Sequence, residues 1–157
     1  MIKKLITGML TAAVLTMSSC GSGEKDPATY NNSIITVING SEQHITDMNA
    51  AMSSSDYAKA EEVRTAWDKS LDEDIRKVED LGDFKGDATF QKAVLDGLKG
   101  YKKIVTEDYP KLIEIRKNKT PDAAAESTLL DNINKAFENM SNGVNKASSE
   151  FESKYKS

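Results

Sequence analysis

Residues 130–155 read LDNINKAFENMSNGVNKASSEFESKY. Leu130, Ile133, Phe137, Met140, Val144, Ala147, Phe151 and Tyr155 follow one another at steps of 3-4-3-4-3-4-4, and Asn, Lys, Glu and Ser fill most of the gaps. A half-buried strand would alternate apolar and polar residues; these steps instead align all eight on one stripe of an α-helix. Gly143 interrupts the stripe only mildly. Just upstream, Thr120 is the expected N-cap and Pro121 suits the first helical position. A stripe this narrow hides itself only against other helices, so the rest of the chain has to supply them.

Three more stretches do. The first runs from about Pro27 to Met52, with Asp26 as cap and the seam Tyr30, Ile34, Val37, Ser41, Ile45, Met48, Met52. Gly40 lies inside it, and the run SIITVI, which alone resembles a strand, is outweighed by the longer helical period. The second runs from about Ser54 to Leu81, with Ser53 and Asp56 spaced as a capping box. Its seam is Tyr57, Ala60, Val63, Trp67, Leu71, then Asp74 or Ile75, Val78 and Leu81. The segment LGDFKGDATF then allows a turn at Gly82 and Gly86, offers Asp87 as the next cap, and places Phe84 to plug the end of the core. The third stretch runs from about Ala88 to Arg116, with Phe90, Val94, Leu98, Tyr101, Val105, Leu112 and Ile115. Pro110 removes one ladder hydrogen bond there and crowds the Thr106 carbonyl, so a kink is expected.

Four amphipathic helices on short turns predict an all-α, up-down-up-down antiparallel four-helix bundle over residues 28–157. Seams near 3.5 residues per turn predict knobs-into-holes packing. In that topology the start of the first helix, the Gly82–Asp87 turn and the C-terminus share one end. The turns near Met52–Ser55 and Arg116–Thr120 share the other, about 35 to 40 Å away.

Ahead of the bundle the chain opens MIKKLITGMLTAAVLTMSSC. Lys3 and Lys4 form a positive start, and Leu5 to Met17 form a mainly apolar run of 13 residues. A membrane-spanning helix needs about 20, so residues 1–19 read as a cleavable signal peptide. The sole cysteine, Cys20, follows the small residues Ser18 and Ser19 and precedes Gly21, which resembles a bacterial lipobox. That resemblance implies cleavage before Cys20 and lipidation of its thiol, with residues 20–27 as anchor and tether. Two or three acyl chains on one residue hold a protein firmly, because each buried methylene contributes about 0.8 kcal/mol. The alternative is a free thiol in a plain secreted protein.

Shedding Lys3 and Lys4 leaves 19 basic against 25 acidic residues, a net charge of −6. An acidic chain without a basic cluster argues against nucleic acid and against electrostatic docking on anionic lipid. The segments DFKGDATF and YKKIVTEDYPKLIEI, through Phe84-Lys85-Gly86-Asp87, Tyr101-Lys102 and Tyr109, resemble a family of uncharacterised all-helical surface or outer-membrane lipoproteins common in Bacteroidota. The resemblance spans Tyr30 to about Ile115. It implies a helical fold and an envelope location, and it carries no activity. Glu24 and Asp26 are similar to the acidic residues that follow the cysteine in surface-exported lipoproteins, although Lys25 splits them.

Catalytic motifs do not emerge. A di-iron site in a bundle needs inward carboxylates and Glu-x-x-His pairs, and the one histidine, His44, has Ser41 three residues before it. His44 reads as a boundary residue of the first helix. Zinc and haem lack their ligand sets, so no cofactor is expected. Glu61-Glu62, Asp72-Glu73-Asp74 and Glu79-Asp80 read as solvated helix faces, since consecutive residues on a helix point in different directions. Tyr30, Tyr57, Trp67, Tyr101 and Tyr109 read as core, with a small polar cavity near Pro110 as the alternative. The expectation is therefore a lipid-anchored, non-enzymatic protein of the bacterial envelope, at the periplasmic or surface face of the outer membrane. Its role would be structural or partner-binding; the alternative is a small-ligand carrier with a pocket inside the bundle. Arg116, Lys117 and Lys119 form a positive spot at the end away from the tether. They either complement the negative end of the third helix or contact an anionic partner, a polysaccharide or an acidic protein.

Overall fold

The computed structural model describes residues 26–118 and 122–155. The signal segment 1–19, Cys20, the tether up to Lys25, Lys119, Thr120 and Pro121 lie outside the described residues. Six α-helices follow in order: α1 Pro27–Asn39, α2 Glu42–Ser53, α3 Tyr57–Leu81, α4 Thr89–Lys103, α5 Tyr109–Lys117 and α6 Ala123–Tyr155, with one π-helical turn, Ile104–Asp108, between α4 and α5. Joined where they run on, they make an all-α bundle of four helical arms, with no strand among the described residues.

Each arm starts where a carboxylate can take an orphan amide. Asp26 accepts from the Thr29 N–H at 2.8 Å. Asp56 accepts from the Lys59 N–H at 3.0 Å and is itself the cap, so the expected Ser53 box is replaced by an α3 that begins at Tyr57. For α6 the capping carboxylate is Asp122, which accepts from the Ala125 N–H at 2.9 Å. The Asp87 carboxylate accepts from the Thr89 N–H at 3.0 Å at the head of α4.

The first arm is not one helix. At its middle the Gly40 N–H bonds to the Val37 carbonyl and the Ser41 N–H to the Ile38 carbonyl, each three residues back, and α2 restarts from the Ser41 carbonyl. This tightened turn keeps most of the seam: Tyr30, Ile34, Val37, Ser41, Met48 and Met52 are buried, and Ile45, expected with them, is only partly so. Ser41, only 1% exposed, accepts a hydrogen bond from the Trp67 indole N–H at 3.2 Å. A buried indole needs such an acceptor, and a serine in the seam supplies it. In α3 the side chain that turns inward is Asp74, 2% exposed, while Ile75 is half-buried. Asp74 survives burial through Lys77 at 2.9 Å and Ser70 at 3.4 Å, because a buried carboxylate is tolerated only when paired.

Around Pro110 the chain neither stops nor simply kinks. The Tyr109 N–H reaches back five residues to the Ile104 carbonyl. The wide turn relieves the Thr106 carbonyl, which the Pro110 ring would crowd in a regular ladder. It also inserts one residue into the period. Beyond it Tyr109, Leu112 and Ile113 are buried and Ile115, expected in the seam, is only partly so. In α6 the seam is buried from Ile133 to Phe151, with Leu129 taking the place expected for Leu130.

The two ends are closed by different means. At the N-terminal end of α1, Phe84 is fully buried and meets Tyr30 at 5.2 Å, Phe151 at 5.0 Å and Tyr155 at 4.7 Å between ring centroids. Its turn is built for the purpose. Phe84 and Asp87 exchange both backbone hydrogen bonds, at 3.0 and 2.9 Å, around Lys85 and Gly86, whose φ values are +53° and +85°. Positive φ at both central residues marks a type I′ turn. The Tyr30 hydroxyl donates to the Gly82 carbonyl at 2.7 Å, and Lys154 of α6 pairs with Asp87 at 2.6 Å. The start of the first arm, the turn after the second and the end of the fourth thus meet, as an up-down-up-down order requires.

Halfway along, a second aromatic group forms the core. Trp67 lies 5.7 Å from Tyr101, 6.2 Å from Tyr109 and 6.5 Å from Phe137. Helices α4 and α6 approach closely where Gly97 faces Met140: a Cβ at Gly97 would overlap Met140 Sδ and stand 3.3 Å from its Cγ.

Candidate functional site

The end opposite Phe84 carries the residues singled out in the sequence. Arg116 and Lys117 occupy the last turn of α5, where positive charge complements the helix terminus. They do not form one free cationic spot. Arg116 is half-buried and tied to Glu126 of α6, Nη2 to Oε1 at 2.7 Å and Nε to Oε1 at 2.8 Å. Lys117 is exposed, and its charge is felt by Glu61 on α3. The Glu61 carboxyl is held below its ordinary range first by its hydrogen bond from Arg64, against the upward pull of burial, with the Arg64 and Lys117 charges assisting. Sequence spacing could not show Glu126 reaching Arg116, because the two lie on different helices across a turn.

Between α2, α5 and α6, close to Arg116, the bundle opens a cleft. Asn49 contributes from α2, Tyr109, Leu112 and Arg116 from α5, Ile133 and Asn134 from α6. The space at its bottom is about 20 Å³, room for one water-sized group. Of the aromatic residues suggested to line a polar cavity near Pro110 only Tyr109 lines this cleft, whose walls are mostly apolar, and it is much smaller than a ligand pocket of a few hundred Å³. The π turn builds it. By inserting a residue, the turn swings Tyr109 inward, leaving it 4% exposed. π turns of this kind often occur at functional sites.

Polar groups brace the same turn. Asp108, 6% exposed, accepts from Asn132 Nδ2 at 3.0 Å. The Val105 carbonyl accepts from Arg64 Nη1 at 3.4 Å, and Arg64 also pairs with Glu61. One turn earlier, Lys102 Nζ bridges Asp68 at 2.7 Å and Asp72 at 2.8 Å. Burial pulls the Lys102 ammonium down, and the two carboxylates outweigh it, so its pKa is raised. Asp72, exposed as expected, also takes part in a cross-helix bridge, and Asp74 is buried, which fits its alternative place in the α3 seam rather than the solvated cluster. Glu61, Glu62, Glu73, Glu79 and Asp80 are exposed as read.

Two phenols lie behind the cleft. Burial pushes the Tyr101 hydroxyl well above its ordinary pKa. It does the same to Tyr109, where the nearby Tyr101 adds to the rise and the Arg116 guanidinium opposes it. His44 is half-buried and stacks at 6.4 Å on Trp67, a boundary position. Among the described residues no three His, Cys, Asp or Glu side chains gather to hold a metal, and no helix is long and apolar enough to cross a membrane. No family model, curated protein or solved structure matches this chain.

Proposed function

We propose that the protein is a lipid-anchored, non-enzymatic component of the bacterial envelope, attached through Cys20 to the outer membrane, whose helical bundle binds a partner or serves a structural role. The supporting observation is the meeting of Tyr30, Phe84, Phe151 and Tyr155 at one end of the bundle. An anchor a few residues ahead of Asp26 would join at that end. The opposite end, with the cleft, Arg116 and Lys117, would then face away from the membrane, and its partner would be anionic, a polysaccharide or an acidic protein. The cleft between α2, α5 and α6 offers a carrier about 20 Å³, so the partner-binding reading is preferred.

Labelling cells with a palmitate analogue tests the anchor. Wild type should take up label, and Cys20→Ala should take up none and remain uncleaved. Equal label on both would refute lipidation at Cys20. Pull-downs from the native envelope with Arg116, Lys117 and Lys119 all changed to Gln test the partner, whose recovery should fall, and should fall in wild type as salt rises.

A further inference from the structure

Arg116 is not offered to solvent as a bare charge. Its guanidinium donates from Nε and Nη2 to one oxygen of Glu126, Oε1, at 2.8 and 2.7 Å. The pair joins the last turn of α5 to the first turn of α6. It lies near the surface, the two side chains being 18% and 34% exposed, and a partly exposed ion pair adds little to stability. Its effect on recognition is greater. A guanidinium takes a carboxylate through this same fork, so Glu126 stands where a partner's carboxylate would and cancels the charge that would attract it. The pattern recurs at this end of the bundle, where Arg64 pairs with Glu61, and Lys59 with Glu62 at 3.0 Å. Glu126 also suits the positive start of α6, so letting go of Arg116 would not leave its carboxylate unsupported.

We propose that Glu126 is a built-in competitor at the far end of the bundle: it holds Arg116 until an acidic segment of a partner protein displaces it. The idea rests on the partner-binding reading above and names how that site is regulated. A protein carboxylate is the favoured occupant because the guanidinium already accommodates one. The exchange trades one carboxylate for another at a surface position, so it needs no opening of the core. Removing the Glu126 charge should therefore strengthen binding, whereas a residue that merely steadied Arg116 would weaken it when changed.

The probe is a labelled hexaglutamate peptide, titrated against the full chain by fluorescence anisotropy, with hexagalacturonate as the polysaccharide counterpart. Glu126→Gln removes the charge and keeps an oxygen that can accept from Arg116, so the contact between α5 and α6 persists; an unchanged urea midpoint checks that. This variant should bind hexaglutamate about threefold tighter, the worth of a partly exposed ion pair. Glu138→Gln is the control. Glu138 is exposed on the same helix, about 18 Å further along at 1.5 Å per residue, beyond the screening length of about 8 to 10 Å. Its replacement changes the net charge equally and should leave the affinity as it is. No gain in Glu126→Gln, a loss there, or an equal gain in Glu138→Gln would overturn the proposal. Tighter binding of hexagalacturonate than of hexaglutamate would overturn it in favour of a polysaccharide. Arg116→Gln separates the two readings. Loss of peptide binding in Arg116→Gln with no gain in Glu126→Gln would keep the anionic partner and overturn the competitor. Wild-type affinity in Arg116→Gln would overturn both the competitor and the place of Arg116 in the partner site.

Discussion

Replacing Gly97 with Ala should destabilise the bundle, although alanine is the better helix former. On propensity alone the change gains about 1 kcal/mol. The structure opposes it. The new Cβ would overlap Met140 Sδ, and it would stand 3.3 Å from Met140 Cγ and 3.4 Å from Met140 Cα. The sulfur can swing away, but Met140 is 3% exposed and sits in a filled core. Met140 Cγ has to give by a few tenths of an ångström as well, while Met140 Cα stays at ordinary contact. Overpacking of this kind costs about 1 to 3 kcal/mol, so a net loss of roughly 0 to 2 kcal/mol is expected once propensity is subtracted. Urea denaturation of a chain beginning at Glu24 measures it. Met140→Ala alone should cost about 2 to 5 kcal/mol, as a buried methionine truncation does. In the double variant the added methyl group enters the space the thioether leaves. The two losses should then fall short of additivity by about 1 kcal/mol or more. A Gly97→Ala variant more stable than wild type would refute the close approach of α4 and α6.

Two further perturbations probe the core. Phe137, 8% exposed and 5.2 Å from Tyr101, should cost about 3 to 5 kcal/mol when cut to Ala; an unchanged urea midpoint would mean the α6 seam is wrongly placed. High pH should unfold the bundle through its phenols. Tyr30 is pushed up to about 12, chiefly by burial and then by the charges of Asp83 and Asp87, and Tyr101 and Tyr109 are raised further by burial. In the unfolded chain these groups titrate near 10. Holding them neutral therefore stabilises the fold fully below about pH 10, and that stabilisation is lost as pH rises from there through 12. Raised lysines such as Lys102 act with the same sign, so the discriminating variant is Tyr30→Phe, whose midpoint should fall less steeply between pH 10 and 12. An equal slope would count against Tyr30.

Much of this architecture was legible in the chain before any contact was known. Four seams of period 3.5 or 3.6 define four arms and the stripe each must hide, because a helix repeats its faces locally. Short connections then leave antiparallel neighbours as the simplest order. Phe84 as an end plug followed from its place between Gly82 and Gly86. What only the tertiary structure decided has one physical cause in common: a partner distant in sequence. The first arm bends at Ser41 where the indole of Trp67 supplies the donor. Asp74 rather than Ile75 turns inward where Gly40 of the first arm leaves room beside its carboxylate, a Cβ there standing 3.2 Å from Asp74 Oδ2. Pro110 predicted a disturbance, but a wide turn that faces Tyr109 inward depends on α3 and α6, whose Arg64 and Asn132 brace it. Arg116 looked like part of a free positive spot until Glu126 met it across the turn. Local periodicity is a property of neighbours on the chain; the pairing of a buried polar group belongs to whatever the folded helices bring against it.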